Sequence, residues 1–189
     1  TDITQRKMQD AMQSRLSNAI DSIPSHVMFW DKNEKLIKAN KLAVDENEKD
    51  GVKLEEGMLY SDFLKNQFKS DLYNVPEKFN LEHFVSKRLD ERATLDSKSS
   101  KVKYKNGKTV IRTENKLDDG GILTILNDIT ELEEKESQEK ILTKSLDNMS
   151  YGFALWDKDQ KLVKFNNALK LKTVSYTHLR AHETLRSLV

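Results

Sequence analysis

The apolar positions change period along the chain, and each change predicts an element. Met8, Met12, Leu16, Ile20 and Ile23 recur every three or four residues, with no glycine or proline in residues 5–22. That spacing predicts an amphipathic helix, which Asp21, Ser22 and Pro24 end. Val27-Met28-Phe29-Trp30 then reads as a short apolar strand, Asp31-Lys32-Asn33-Glu34 as a polar turn and residues 35–39 as a second strand. The pair predicts a hairpin that needs a covering layer. Asn40 follows, where its amide can serve a backbone N–H as the chain enters the next helix. Residues 41–92 return to helix and loop, punctuated by Gly51, Gly57 and Pro76, with apolar helical faces in residues 61–68 and 81–89. From Lys101 the period becomes two. Residues 101–105 alternate into Asn106-Gly107, a hairpin turn, and Thr109, Ile111 and Thr113 alternate on the return. Asp118-Asp119-Gly120-Gly121 turns the chain into the apolar strand 122–126. Two strands, helices and three strands predict an α+β fold, a five-stranded antiparallel sheet with helices on one face.

The opening pattern occurs twice. Residues 16–43 and 142–169 align without a gap at an offset of 126 residues. Leu16, Asp21, Trp30, Asp31, Lys32, Lys35, Leu36, Lys38 and Asn40 all recur identically, at Leu142, Asp147, Trp156, Asp157, Lys158, Lys161, Leu162, Lys164 and Asn166. Such a period is too long for a solenoid and fits a small domain with its linker. Between the copies, Asn127-Asp128-Ile129-Thr130 closes the first domain, and Thr130 stands in capping-box spacing before Glu133. Residues 131–149 read as a charged connector helix. Its apolar seam of Ile129, Leu132, Leu142, Leu146 and Met149 is interrupted by Glu136 and Glu139, so no clean heptad forms.

The expected divisions are therefore a linker helix over 1–22, a domain over 16–130, the connector over 131–149 and a truncated second copy over 142–173. Residues 174–189 differ in kind. The string SYTHLRAHET resembles translated sequencing-adapter sequence found at the ends of metagenomic gene predictions, and the tail is expected to be non-native. His178 and His182 there stand at i and i+4 beside Glu183, but a third metal ligand at convincing spacing is missing.

Composition narrows the chemistry. The formal net charge of +1 argues against bulk attraction to nucleic acid or an anionic membrane. The lysines at 98, 101, 103, 105 and 108 are balanced by Asp96 and the acidic connector. With no cysteine in 189 residues, disulfides, thiolate metal sites, cysteine nucleophiles and flavin–cysteine adducts are excluded together. No apolar run approaches the roughly 20 residues that span a bilayer, and a cytoplasmic location is expected. The sequence carries no glycine-rich phosphate loop, activated serine arrangement or HExxH motif, so catalysis within this segment is not expected.

Several of these pieces together resemble a known family. Ser22-Ile23-Pro24, the Asp31-Lys32-Asn33 turn, Leu36-Ile37-Lys38-Ala39-Asn40, Asn106-Gly107-Lys108, Gly120-Gly121 and the closing Asp128-Ile129-Thr130-Glu131-Leu132 resemble a PAS domain over residues 16–130. A second, partial copy starts at 142. The resemblance implies a regulatory input module of a bacterial signal-transduction protein, with tandem copies upstream of a sensor histidine kinase. A class III adenylate or guanylate cyclase, or a diguanylate cyclase, is the alternative parent, and a noncatalytic dimerisation scaffold the third reading. It further implies signal coupling through Asp128, Ile129, Thr130 and Leu132, a catalytic domain in cis, homodimerisation through the PAS unit or connector, and a small-molecule ligand that it does not identify. His83 is a candidate haem ligand and Trp30 a candidate ligand contact. The simpler readings are a surface histidine and a core aromatic. Noncovalent flavin stays open. Trp30, Asp31, Asn40, Gly107, Gly120 and Gly121 are expected to be structural.

Overall fold

A computed structural model of the chain describes residues 2–73 and 80–170. Pro76 and the tail with His178, His182 and Glu183 lie outside the described residues. The chain divides into two compact units, residues 1–130 and 131–189.

The first unit runs α1 (Asp2–Asp21), β1 (His26–Trp30), β2 (Leu36–Ala39), α2 (Lys41–Lys49), α3 (Tyr60–Lys69), α4 (Leu81–Ala93), β3 (Ser97–Lys103), β4 (Thr109–Lys116) and β5 (Ile122–Asp128). The strands form one antiparallel sheet in the order β2-β1-β5-β4-β3, with helices packed on it. The first and last strands are therefore neighbours. His26 pairs with Leu126 and Trp30 with Ile122, so the exit of the domain lies beside its entrance. Core residues converge from every layer: Met28, Trp30 and Leu36 from the hairpin, Tyr60, Phe63 and Leu64 from α3, Val85 from α4, and Val110, Ile122 and Leu126 from the sheet. Trp30 is 0% exposed and meets Tyr60 edge-on at 4.9 Å between ring centroids. This geometry suits the ring quadrupoles and adds to the gain from burial.

Turn chemistry fixes the hairpins. Asp31 Oδ1 accepts from the N–H groups of Asn33 and Lys35, both at 2.8 Å, an Asx arrangement that holds Glu34 at φ 60°. A Cβ on Gly121 would stand 2.6 Å from the Trp30 carbonyl oxygen, so only glycine permits β5 to start against β1. The long strands deviate from the alternation in one respect. β3 begins at Ser97, four residues before the expected start, and ends at Lys103. Its Ser-Lys-Ser-Ser opening has no apolar side chain to signal a strand; ladder bonds to β4, from Ser97↔Asn115 to Lys103↔Thr109, hold it. β3 is an edge strand, and its exposed lysines at 98, 101 and 103 oppose pairing with other chains.

Asn40 joins three segments. Its Oδ1 accepts from the N–H groups of Val27 and Ala43, each at 3.0 Å, capping α2. Its Nδ2 donates to the carbonyls of Ser25 at 2.8 Å and Ile20 at 3.3 Å. The second unit holds α5 (Thr130–Asp147, whose first residue belongs to the first unit), β6 (Ala154–Trp156) and β7 (Leu162–Phe165). Asn166 there accepts from Phe153 and Leu169 N–H, and donates to Tyr151 and Leu146 carbonyls. Each partner is the Asn40 partner moved by 126 residues. Asp157 repeats the bonds of Asp31, Gln160 repeats the φ of 60°, and β6–β7 repeats the register and bulge of β1–β2.

Asn40→Ala should cost about 2–4 kcal/mol, from the lost cap and the buried groups left without partners. Urea unfolding read through Trp30 fluorescence, in a Trp156→Phe background, checks it. A cost near zero would remove Asn40 from the account of the fold.

Candidate functional site

Between the sheet and the helices lies a cavity of about 90 Å³. Its lining comes from β1 (His26, Met28), α2 (Glu46, Asn47), α3 (Tyr60, Phe63, Gln67), the flanks Tyr73 and Tyr104, β4 (Val110, Arg112) and β5 (Thr124, Leu126, Asp128). Apolar surface dominates, but polar groups mark its base, one wall and its mouth.

Arg112, on the cavity lining, leads into a buried ion cluster. Pleating of β4 places Val110, Arg112 and Glu114 on one face, and α4 presents Arg88 and Arg92 one turn apart on the face that also carries Val85. Glu114 is 2% exposed. Its Oε2 accepts from Arg88 Nη2 at 2.8 Å and its Oε1 from Arg92 Nη1 at 2.6 Å. Burial works to raise the Glu114 carboxyl, and the surrounding guanidiniums outweigh it, holding the group below the usual carboxylate range. Each α4 arginine has a further carboxylate, Glu91 for Arg88 and Glu34 for Arg92. The Arg92 guanidinium also lies 3.8 Å from the Tyr60 ring centroid, a cation–π contact.

The wall is a chain of neutral hydrogen bonds. Tyr73 OH donates to Gln67 Oε1 at 3.0 Å, Gln67 Nε2 to Asn47 Oδ1 at 3.5 Å, and Asn47 Nδ2 to the Ala43 carbonyl at 2.8 Å. Burial pushes the phenols of Tyr73 and Tyr104 up, so both stay protonated at neutral pH.

The mouth is ionic. Glu46 Oε2 accepts from Lys108 Nζ at 2.7 Å and stands 3.4 Å from His26 Nε2. Burial lowers the His26 pKa below its ordinary 6.5 against the opposing pull of Glu46, and the Lys108 bond lowers Glu46. Next to Lys108, Thr109 N–H donates to Thr130 Oγ1 at 2.9 Å, and Thr109 O accepts from Ile129 N–H at 2.8 Å. Asp128 Oδ1 accepts from the N–H of Thr130 at 2.8 Å and from its hydroxyl at 2.5 Å. Asp128, Ile129 and Thr130 thus form a clamp between the start of β4 and the start of α5.

The residues singled out from sequence fall in different places. Asp128 lines the cavity mouth, with Ile129 and Thr130 adjoining it. Leu132 is exposed on α5. Trp30 packs in the core and is not among the cavity-lining residues. His83 is on the exposed side of α4 and likewise not among them. Arg88, Arg92, Arg112 and Glu114, and the pairing of Glu46 with Lys108, were not anticipated. The spacing Leu81, Val85, Arg88, Arg92 was their signal, because the arginines continue the apolar helical face.

The description of the family that the sequence matches, over residues 20–137, is PAS fold. The chain belongs to that family. Solved structures similar to this PAS domain include the sensor region of a sensor histidine kinase, 18% identical over 57% of this chain, with a TM-score of 0.42. The match spans 40% of that protein's length. A PAS domain of an HTR-like protein from Haloarcula marismortui is 16% identical, covering 67% of this chain and 98% of its own, at a TM-score of 0.41. The PAS domain from Bordetella pertussis BvgS is 19% identical, covering 75% and 99%, also at 0.41. No curated protein matches. Among the described residues no helix is long and apolar enough to cross a membrane.

Glu114→Gln should destabilise the PAS domain by about 3–5 kcal/mol, since it leaves buried guanidiniums without their shared anion. Chemical denaturation checks the value, and a loss below about 1 kcal/mol would contradict it. His26 sets a pH dependence of definite sign. Its folded pKa lies below the unfolded value, so stability is intact above about pH 6.5 and falls as acid drives the proton onto the unfolded chain. Glu46 and Asp128, both lowered, lose their contribution only at more acid pH. Comparing urea midpoints at pH 7.5 and 5.5 should show a smaller fall for His26→Gln than for the parent chain. Equal falls would sink the assignment.

Proposed function

We propose that the PAS domain is the sensing input module of a signal-transduction protein: the cavity receives the signal, and the clamp at residues 128–130 passes it to α5. The continuity of the mouth carries this reading. Glu46 on α2 faces the cavity and holds Lys108, and Lys108 adjoins Thr109, which bonds Thr130. A change in cavity contents that moves α2 acts on the start of α5 through two hydrogen bonds, which is the differential contact a two-state relay needs. The module itself is regulatory and not catalytic, and the reaction belongs to a domain in cis.

In the finer reading the parent is a sensor histidine kinase with tandem PAS domains, and residues 142–170 open the second copy. The support is the recurrence of the Asn40 and Asp31 networks at Asn166 and Asp157, together with exposure. Trp156 is 58% exposed where Trp30 is 0%, so the hairpin displays a core face still awaiting a cover. A cyclase is the alternative output.

The test is a fusion of the chain to a histidine kinase core. Thr130→Val and Lys108→Met should each change the kinase rate by at least about five-fold, the scale of an allosteric coupling, with the PAS melting temperature moving by under about 4 °C. Unchanged rates with intact folding would remove the relay. A rate change that only tracks unfolding would also count against it.

A further inference from the structure

One guanidinium that lines the cavity shares its nearest carboxylate with two others. Both Glu114 oxygens are taken by Arg88 and Arg92, and each of those arginines has its own second carboxylate. Arg112 is the one arginine among the described cavity-lining residues. Its Nε stands 3.4 Å from Glu114 Oε2 in an ion pair and is buried without a hydrogen-bond partner. Its Nη2 holds only the Ser100 hydroxyl, at 3.2 Å. A guanidinium whose fork of donors has no bidentate acceptor is the complement of a carboxylate.

The remaining lining sets the size and charge of that carboxylate. Tyr60 accepts from Arg88 Nη2 at 2.8 Å and also lines the cavity. Met28, Phe63, Leu72 and Leu126 offer apolar walls to a short hydrocarbon body. At the mouth Glu46 is occupied by Lys108 and Asp128 by Thr130, whereas Asp50 adds a carboxylate that disfavours a second negative charge. About 90 Å³ holds roughly three waters or a solute of about five heavy atoms.

We propose that the cavity binds a short-chain monocarboxylate, with its carboxylate on Arg112 and its apolar end against Met28, Phe63 and Leu126. This rests on the cavity being the receptor of the sensing module. Loading replaces the unmet donor of Arg112 with a charge-assisted pair and fills apolar space, so ligand and fold stabilise each other.

Calorimetric titration of the full chain with propionate, propionamide and inorganic phosphate tests it. Propionate should bind, and the neutral amide and phosphate should bind at least about ten-fold more weakly. Arg112→Gln should lose propionate by a similar factor, with Arg112→Lys between. On the unaltered protein, propionate should shift the Arg112 Nε–H resonance and leave that of Arg88 in place, which keeps the test open if Arg112→Gln does not fold. Equal binding of propionamide or phosphate, binding unchanged in a folded Arg112→Gln, an unmoved Arg112 resonance or no binding of propionate would each overturn the assignment. In any of those cases the effects of Thr130→Val and Lys108→Met on the fused kinase judge the sensing reading separately.

Discussion

The geometry of the PAS domain depends on one buried carboxylate. Glu114 leaves water for the interior of the sheet face, a move that costs several kcal/mol for an isolated ion. Its cost is offset only because two arginines of α4 arrive with one donor on each oxygen. That bonding fixes the angle and height of α4 above β4, which a purely apolar contact would leave freer to slide. Replacing the whole cluster with well-packed apolar residues is often neutral for stability, so its value lies in position. With α4 tied to the sheet and Trp30 wedged against Tyr60 and Phe63, the cavity is bounded on the α3 side by groups that have little room to move.

The opposite side is built otherwise. Beyond the buried Asn40 cap at its start, α2 is held to the sheet end by Glu46, Lys108 and His26, all partly exposed, and ion pairs in contact with water contribute little each. A domain with one side anchored by a buried cluster and the other by half-solvated pairs yields at the second. Because β1 and β5 are neighbours, that softer side is also where the chain leaves for α5. The coincidence follows from topology: the entrance, the exit and the cavity mouth share one end of the sheet.

How far the sequence foretold this differs by level. The five strands, their hairpins and the helical faces were legible because period, Asn106-Gly107, Gly120-Gly121 and the Asp31 turn are local signals. β3 was read four residues late because an edge strand is specified by its partner's ladder and not by apolar side chains. The Asp128-Ile129-Thr130 segment could be singled out in sequence, but its bond to Thr109 joins residues 21 apart and needed the fold. The ion cluster was hidden for a stronger reason. Hydropathy marks Ile111 and Thr113 as the side of β4 worth noticing, whereas the face that meets the helices carries Val110, Arg112 and Glu114. A charged residue that belongs inside announces itself only through a partner, here 22 and 26 residues away on α4.

The repeated hairpin separates what is local from what is not. Asn166 makes the four principal bonds that Asn40 makes, although none of the residues on β6–β7 is buried as Trp30 is. The side-chain and turn bonds of this motif therefore depend on about 28 residues of sequence and not on the sheet around them. What the local motif cannot supply is burial: Leu155, Trp156, Leu162 and Phe165 remain exposed, and a two-stranded hairpin is marginal in water. In the first unit the same hairpin gains its stability from β5 on one edge and from α3 across its face. The Asn40 network therefore sets the shape of the domain's opening, and residues 52–128 supply the free energy that keeps it.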